Sequence, residues 1–353
     1  MAEQLEELLQ IVLKENASDL HITAGRRPTI RMAGGLVELA RHPTLTAEAA
    51  QEFVLTLLTK EQASRFLQER ELDFSYAYRD RARFRVNTFF QKGFMGAALR
   101  LIPTVIRNFG ELNLPPILAE FCGRPQGFFL AVGPTGHGKT TTLAAMADYI
   151  NHTRSDHVVT IEDPIEYLFT SDRAIIDQRE VGVDTGSFQR ALKSMFREDV
   201  DVAMIGEMRD QETMAAAVTA AETGHLILSS LHTNNAAQTI DRIIDSFTAH
   251  QQSQIRAQLS STLIGIASQR LIPRVSGGLI PAVEVLIATP AVRNLIREGK
   301  THEIDLVIET SSEQGMISLN RSLVDLVRRG EITLEQASNY SLNPGEIASL
   351  MRR

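Results

Sequence analysis

A glycine-rich octapeptide between an apolar run and a helix-like segment restricts the possible folds of this chain more than any other feature. The preceding run, residues 127–132 (Gly-Phe-Phe-Leu-Ala-Val), is typical of a buried parallel strand. The next residues match the pattern G-x-x-x-x-G-K-S/T at every fixed position: Gly133-Pro134-Thr135-Gly136-His137-Gly138-Lys139-Thr140. Apolar residues then recur at helical spacing at Leu143, Met146, Ala147 and Ile150. The order of strand, glycine loop and helix predicts a phosphate-binding loop at the edge of an α/β sheet.

This loop carries the groups that nucleotide binding requires. Glycines allow several backbone N–H groups to point at one phosphate, and the helix N-terminus adds partial positive charge. Lys139 is placed to reach the β- and γ-phosphates, and the Thr140 hydroxyl is placed to bind Mg²⁺. With Thr141 beside them, residues 133–141 are predicted to bind ATP and Mg²⁺.

Composition and charge argue against several other classes of protein. The 353 residues suffice for two ordinary domains, and 43% hydrophobic with 22% charged residues is typical of globular proteins. The net charge of −7 argues against non-specific nucleic-acid binding, so no nucleic-acid partner is expected. Cys122 is the only cysteine, which excludes an intrachain disulfide and a multi-cysteine zinc site. No apolar run approaches the ~18 residues that span a bilayer, and no signal peptide is recognisable, so we expect a cytoplasmic protein.

The pattern along the chain predicts two domains joined by a linker. Residues 1–104 mix short strands with helices, including a helix over 47–58 capped by Thr46, which predicts a small α+β domain. Residues 105–116 contain one glycine and two prolines and are interpreted as the linker. Residues 117–353 alternate strands and helices, which predicts a mainly parallel sheet with helices on its faces.

One predicted strand of the first domain carries alternating arginines. At a period of two, Arg81, Arg83 and Arg85 point to one face and the intervening apolar residues to the other. Taken alone, this pattern favours a half-buried strand with a solvated face. The alternative is a row of guanidinium groups directed at phosphate.

Acidic residues follow two of the predicted parallel strands. The run at 158–161 leads into Glu162, Asp163 and Glu166, and the run at 202–205 leads into Glu207. A phosphate-transfer site needs a carboxylate near Mg²⁺ and a group that orients water, and the carboxyl ends of parallel strands supply both. A lone acidic residue after a strand is more often a helix cap, and the P-loop is what favours the functional interpretation here.

Two histidines enclose the predicted strand at 226–231. His225 and His232 lie seven residues apart at opposite ends of that strand, which is poor geometry for a single metal ion. A structural or capping role is the simpler interpretation, and a hydrogen bond from one of them to the γ-phosphate is the alternative.

Several ordered motifs make this chain resemble the PilT family of type IV pilus retraction ATPases, a branch of the secretion-type ATPases, over nearly its whole length. The matching segments are ASDLHI at 17–22, ARFRVN at 82–87, TIEDPIEY at 160–167, GEMRD at 206–210, a histidine box at 223–233 and AVRNLIREGK at 291–300. The resemblance implies a RecA-like P-loop ATPase domain with a PAS-like N-terminal domain and a helical C-terminal part. His137 departs from it, because the family commonly has serine there, but that position is variable and nucleotide binding is expected to survive.

The resemblance also implies roles for individual residues. Glu166 would be the base that polarises water, Glu207 would hold Mg²⁺ together with Thr140, and His232 would contact the γ-phosphate. The supporting residues of these boxes would be Glu162, Asp163, His225 and Arg209. Three arginines of the N-terminal domain would reach the nucleotide and stabilise charge in the transition state: Arg83, Arg85 and Arg100.

The implied protein is a homo-hexameric motor that acts on a pilus platform protein at the cytoplasmic face of the inner membrane. Three related alternatives stay open: a pilus-assembly or type II secretion ATPase, an accessory retraction ATPase, and a ring component that binds nucleotide with little hydrolysis. Assembly ATPases usually carry a longer N-terminal region and a four-cysteine zinc element, which this chain lacks. Residues 291–300 favour a main retraction motor over an accessory one. A DNA-packaging or helicase ATPase is disfavoured by the acidic balance.

Overall fold

A computed structural model describes residues 2–32, 35–79 and 81–352 of the chain. They form two compact units. The first comprises the chain up to Val105 together with Pro164–Leu168, and the second comprises Ile106–Asp163 and the chain from Phe169 onwards.

The first unit is a six-stranded antiparallel sheet with three helices. Its helices are α1 (Ala2–Lys14), α2 (Ala47–Leu57) and α3 (Lys60–Glu69). Its strands are β1 (Asp19–Thr23), β2 (Thr29–Met32), β3 (Gly35–Glu38), β4 (Glu71–Tyr78), β5 (Ala82–Gln91) and β6 (Phe94–Ile102). The strand order is β3-β2-β1-β6-β5-β4. The α+β arrangement of this region is as predicted, and the Thr46 hydroxyl accepts from the Ala49 N–H at 3.1 Å as the helix cap.

Strand β5 separates its two faces as the alternating arginines predict. Ala82, Phe84 and Val86 are buried in the core of the first unit, whereas Arg85 is exposed on the other face. Arg81 is also exposed, but it lies in the turn before the strand. Helix α1 buries Leu5, Leu8, Leu9 and Val12 against the same core because they recur on one helical face.

The second unit is a seven-stranded sheet covered by helices on both faces. Its strands are β7 (Gly127–Val132), β8 (His157–Glu162), β9 (Ile175–Glu180), β10 (Val202–Ile205), β11 (Leu226–Leu231), β12 (Leu263–Pro273) and β13 (Leu279–Ile287). Its helices up to β12 are α4 (Leu118–Cys122), α5 (Lys139–Thr153), α6 (Phe188–Met195), α7 (Gln211–Glu222), α8 (Ala236–Asp245) and α9 (Ala249–Thr262). The C-terminal helices are α10 (Pro290–Glu298), α11 (Ile304–Thr310), α12 (Leu319–Arg328), α13 (Leu334–Tyr340) and α14 (Pro344–Arg352).

The sheet order β13-β12-β7-β11-β10-β8-β9 places the P-loop strand near the centre. All neighbours pair in parallel except β12 and β13, which form an antiparallel hairpin at one edge. Every residue of β7, β10 and β11 is buried, because apolar helices cover both faces. The α/β class predicted from the sequence is confirmed. The parallel pairing also brings the carboxyl ends of β7, β11, β10 and β8 to one edge of the sheet.

Two features of the division into units differ from the sequence prediction. The expected linker packs within the second unit, where the Phe109 and Tyr149 rings stack at 5.4 Å and Leu114 is buried. Residues 164–168 belong instead to the first unit, although they follow β8 directly in the chain. In the described ranges, no helix combines the length and apolar character needed to cross a bilayer.

Candidate active site

The P-loop turns from the end of β7 into the start of α5 through glycines with positive φ. Gly133, Gly136 and Gly138 have φ of 145°, 80° and 82°, values that residues with a side chain rarely adopt. Gly138 is the N-cap of α5 and has no side chain to bond the first helical amides. These amides are therefore available to an anion, and the helix dipole favours one there. The loop fits the phosphate groups that the motif predicts.

Lys139 lies inside this loop rather than in solvent. Only 6% of its surface is exposed, and its Nζ donates to the carbonyl oxygens of Gly133 at 3.0 Å and Pro134 at 2.9 Å. These carbonyl oxygens replace water as hydrogen-bond acceptors for the buried ammonium group. Thr140 and Thr141 follow in the first turn of α5 and are half-buried. The structure thus places Lys139 and Thr140, the cation and the hydroxyl that the motif predicts to bind phosphate and Mg²⁺, in consecutive positions at the helix start.

His232 joins the P-loop to the neighbouring strand end. Its Nδ1 lies 3.2 Å from the Thr135 hydroxyl and 3.4 Å from the Lys139 ammonium. An ammonium cannot accept a hydrogen bond, so Nδ1 is the acceptor and the ring proton is on Nε2. That Nε2 faces a carboxylate oxygen of Glu207 at 3.2 Å and donates to it. A continuous hydrogen-bonded line therefore runs from Lys139 through His232 to Glu207.

Glu207 follows β10 and has two cationic or donor partners. Besides His232 it pairs with the exposed Arg209, and that contact holds the pKa of Arg209 above its usual value. The adjacent Asp210 is the N-cap of α7 and accepts from the Thr213 N–H at 2.8 Å. Asp210 is thus a helix cap, whereas Glu207 is linked through His232 to the P-loop.

The carboxylates after β8 divide between the two units. Glu162 is the last residue of β8, is 2% exposed, and accepts a hydrogen bond from the Thr160 hydroxyl at 2.7 Å. Asp163 is exposed in the second unit, and Glu166 is exposed in the segment that packs with the first unit. Sequence reasoning treated these three residues as one cluster, which the structure separates by a unit boundary.

His225 lies at the opposite edge of the sheet from His232. It precedes β11, and His232 follows the same strand, so seven steps of ~3.3 Å place the two residues about 23 Å apart. Its Nδ1 donates to the Ala220 carbonyl at 3.0 Å near the end of α7, and its ring meets Phe196 edge-on. His225 therefore caps a helix, which is the simpler of the two interpretations that the sequence allowed, and it does not contact the P-loop edge.

The arginines of the first unit line a polar face of its sheet. Arg85 and Arg100 are direct partners across β5 and β6, and both border a cavity of about 230 Å³. Arg100 Nε donates to Asp19 at 2.9 Å. Burial alone would raise the pKa of Asp19, but hydrogen bonds from Ser18 and Arg100 hold it below its usual value. Arg83 is half-buried on the same strand as Arg85.

Sequence reasoning missed the strand that packs against the P-loop. A Cβ on Gly133 would lie 2.4 Å from the Gln269 carbonyl oxygen, and one on Gly138 would lie 2.8 Å from its side-chain nitrogen. Burial and the charges of Arg270 and Lys139 lower the pKa of His137, whose Nδ1 accepts from the Leu271 N–H at 2.8 Å. No motif marks Gln269, because its contact with the loop depends on the pairing of β12 with β7.

Comparison with known proteins agrees with this geometry. Residues 1–278 match the family described as Type II/IV secretion system protein. The chain is 43% identical to the type IV pilus retraction ATPase PilT of Pseudomonas aeruginosa, over 96% of this chain and 98% of that protein. It is 40% identical to the type IV pilus ATPase PilU of the same organism, over 99% of this chain and 91% of that one.

A solved structure extends the similarity to the fold. The crystal structure of the pilus retraction motor PilT with bound ADP superposes with a TM-score of 0.90 at 45% identity, covering 98% of both chains. Proteins this similar in sequence and fold share their P-loop chemistry, so the chain is a nucleotide-binding ATPase. The chain belongs to the Type II/IV secretion system protein family and, within it, to the PilT-type ATPases.

Proposed function

We propose that this chain is the ATPase motor of type IV pilus retraction, which powers twitching motility. The observation that carries the proposal is the line of hydrogen bonds from Lys139 through His232 to Glu207 at the edge where the P-loop lies. In this proposal, the line brings together three groups that a nucleotide-driven motor needs close to one another. Lys139 would be the cation that binds phosphate, His232 the contact to the γ-phosphate, and Glu207 the carboxylate that binds the metal ion. The names of the similar proteins, a retraction ATPase and a retraction motor, supply the process that hydrolysis drives.

The residues of the second unit divide the work of binding. The P-loop amides and Lys139 would hold the β- and γ-phosphates, displacing the carbonyl contacts that the ammonium now makes. Thr140 and Glu207 would hold Mg²⁺, which neutralises charge on the phosphates when it is bound. In the described part of the chain, no group of three His, Cys, Asp or Glu side chains could hold a metal alone. An ion that binds together with nucleotide phosphates fits that donor set.

The catalytic roles follow from charge and position. Glu166 would orient and deprotonate the attacking water, and His232 would donate to the γ-phosphate once its Nε2–H leaves Glu207. Glu162, Asp163 and Arg209 would support the carboxylates of this edge. Arg83, Arg85 and Arg100 would stabilise developing charge from the first unit, where they line one polar face.

The working assembly in this proposal is a homo-hexamer in which each ATP site is completed by a neighbouring copy. A ring of identical subunits uses one head-to-tail interface repeatedly, so each copy can lend its arginines to the next. The motor would act on a platform protein at the cytoplasmic face of the inner membrane. Its mass in solution with and without ATP, measured by light scattering, tests the ring.

Hydrolysis itself is tested by phosphate release from the wild type and Glu166→Ala. The proposal expects turnover by the wild type and a loss of about 10²- to 10⁴-fold in the variant. Equal, near-background rates in both proteins would leave only a nucleotide-binding ring component.

Deletion of the gene with imaging of pili tests the direction of the motor. A retraction motor leaves cells that carry pili but do not twitch, whereas bald cells would identify an assembly ATPase. An accessory retraction ATPase is the second candidate, because the chain is also 40% identical, over nearly its whole length, to a second type IV pilus ATPase of the organism that has the similar PilT. In that case, deletion would leave retraction partly active as long as the main motor is present.

A further inference from the structure

The end of β12 contacts two loops at the edge of the sheet where the P-loop lies: the P-loop itself and the loop that follows His232. Its last pair with β7 joins Ser268 to Val132, the residue before the P-loop. Successive side chains of a strand point in opposite directions. In residues 268–271, the odd positions meet the P-loop and the even positions meet the loop that follows His232.

The contacts to the P-loop come from Gln269 and Leu271. The Gln269 amide donates to the His137 carbonyl at 2.7 Å and accepts from the Thr142 hydroxyl at 2.7 Å, with the glutamine only 3% exposed. The Leu271 N–H donates to His137 Nδ1 at 2.8 Å. One buried amide thus ties the middle of the P-loop to the first turns of α5.

The contacts to the His232 loop come from Ser268 and Arg270. The Ser268 hydroxyl donates to the Asn234 carbonyl at 2.9 Å. The Arg270 guanidinium donates to the same carbonyl and to the Asn234 side-chain oxygen, both at 3.1 Å, and is 6% exposed. Asn234 lies two residues after His232, so these bonds set where the histidine stands relative to Lys139.

We propose that residues 268–271 of β12 are positioning residues that hold the two nucleotide loops in register, Gln269 for the P-loop and Ser268 with Arg270 for the His232 loop. The inference rests on the proposed function of the P-loop edge and deepens it. The P-loop contacts both ATP and ADP, whereas His232 acts on the γ-phosphate of ATP alone. The two faces of the strand therefore have separable effects on binding and on turnover.

Variants on the P-loop face weaken nucleotide binding. Thr142→Val removes one donor and leaves the buried Gln269 oxygen without it, and Gln269→Glu sets a carboxylate against the His137 carbonyl. Each raises the Kd for ADP with magnesium and the KM for ATP by about 5- to 30-fold, with kcat at saturation near the wild-type value. Thr142→Ser keeps the hydroxyl and restores the affinity. Gln258→Leu, which removes an amide contact on helix α9, is the matched control.

Variants on the other face slow hydrolysis. Ser268→Ala and Arg270→Lys lower kcat for ATP by about 5- to 30-fold and leave the Kd for ADP within about twofold of the wild type. Thermal melting of every variant without nucleotide identifies any loss of fold. A merely structural role for β12 would lower the melting temperature without dividing binding from turnover between the two faces.

Three results would overturn the proposal. They are an unchanged ADP affinity in both Thr142→Val and Gln269→Glu, a Thr142→Ser variant as weak as Thr142→Val, and an unchanged kcat in Ser268→Ala and Arg270→Lys. Each is measured against a wild type that binds ADP and hydrolyses ATP. A wild type that does neither would instead refute the proposed function, so the two failures are distinguishable.

Discussion

Replacing Gly133 by alanine tests whether the P-loop is shaped by strand β12. The added Cβ would lie 2.4 Å from the Gln269 carbonyl oxygen, closer than any real Cβ approaches a backbone atom, and φ at this position is 145°. The backbone strain costs about 1–3 kcal/mol, and forcing the overlap apart costs about 1–3 kcal/mol more. Gly136→Ala is the matched control, because φ there is 80° and the new Cβ would have no atom within 4 Å. It carries only the left-handed backbone cost of about 1–2 kcal/mol.

The difference between the two variants therefore reports the overlap with Gln269 together with the additional backbone strain at a φ of 145°. We expect Gly133→Ala to be less stable than Gly136→Ala by about 2–3 kcal/mol, which lowers Tm by roughly 4–12 °C more in a domain of this size. Calorimetry without nucleotide measures the difference, and ADP titration measures the accompanying loss of affinity. Equal melting temperatures for the two variants would refute the reasoning, because the backbone strain common to both glycines would then account for the whole loss of stability in Gly133→Ala.

Three further predictions concern single ionisable groups. Burial raises the pKa of Glu284 from 4.5 to about 7. The folded protein therefore loses stability as the pH rises from about 4.5 to about 7, because the carboxyl ionises more readily in the unfolded chain than in the folded protein. Glu284→Gln should flatten the dependence of Tm on pH between 5 and 8. Arg85→Ala should lower kcat of the assembled protein about 10²-fold, whereas Arg81→Ala, in the exposed turn before the same strand, should change it less than about threefold. Equal effects of the two variants would remove Arg85 from the site. Burial raises the pKa of Cys122 to about 12, so iodoacetamide should leave it unmodified in the folded protein and alkylate it after unfolding, as mass spectrometry would detect.

Local periodicity was sufficient to predict individual elements of the first unit and, in the second unit, strands β7, β8, β10 and β11 with the helix that follows the P-loop. The helix predicted over 47–58 is Ala47–Leu57, and the alternating arginines lie on a strand whose apolar partners are buried. These features depend on neighbours within a few residues, so the sequence contains their cause. The same holds for the existence of the P-loop, whose glycines and lysine lie within one short segment at the turn from β7 into α5.

Contacts across long stretches of chain were not predictable from one sequence. Residues 164–168, which include Glu166, belong to the first unit although they follow β8 of the second. That assignment depends on tertiary contacts, and no pattern in these residues predicts it. The strand pattern alone left both His225 and His232 as candidates for the γ-phosphate contact because both flank β11, and it was the family resemblance that assigned the contact to His232. Only the direction of that strand in a parallel sheet decides which end meets the P-loop.

The glycines of the P-loop motif illustrate why a motif can be recognised before its causes are known. The pattern is usually explained by close approach of phosphate to the backbone, and Gly136, which faces open space, fits that explanation. Gly133 has a second reason, since the Gln269 carbonyl occupies the space that a Cβ would need. A substitution there acts through β12 even when no nucleotide is bound. The first glycine of the motif is therefore required in part by its close approach to Gln269, a residue far along the chain. The stability of Gly133→Ala without nucleotide measures the effect of that approach separately from nucleotide binding.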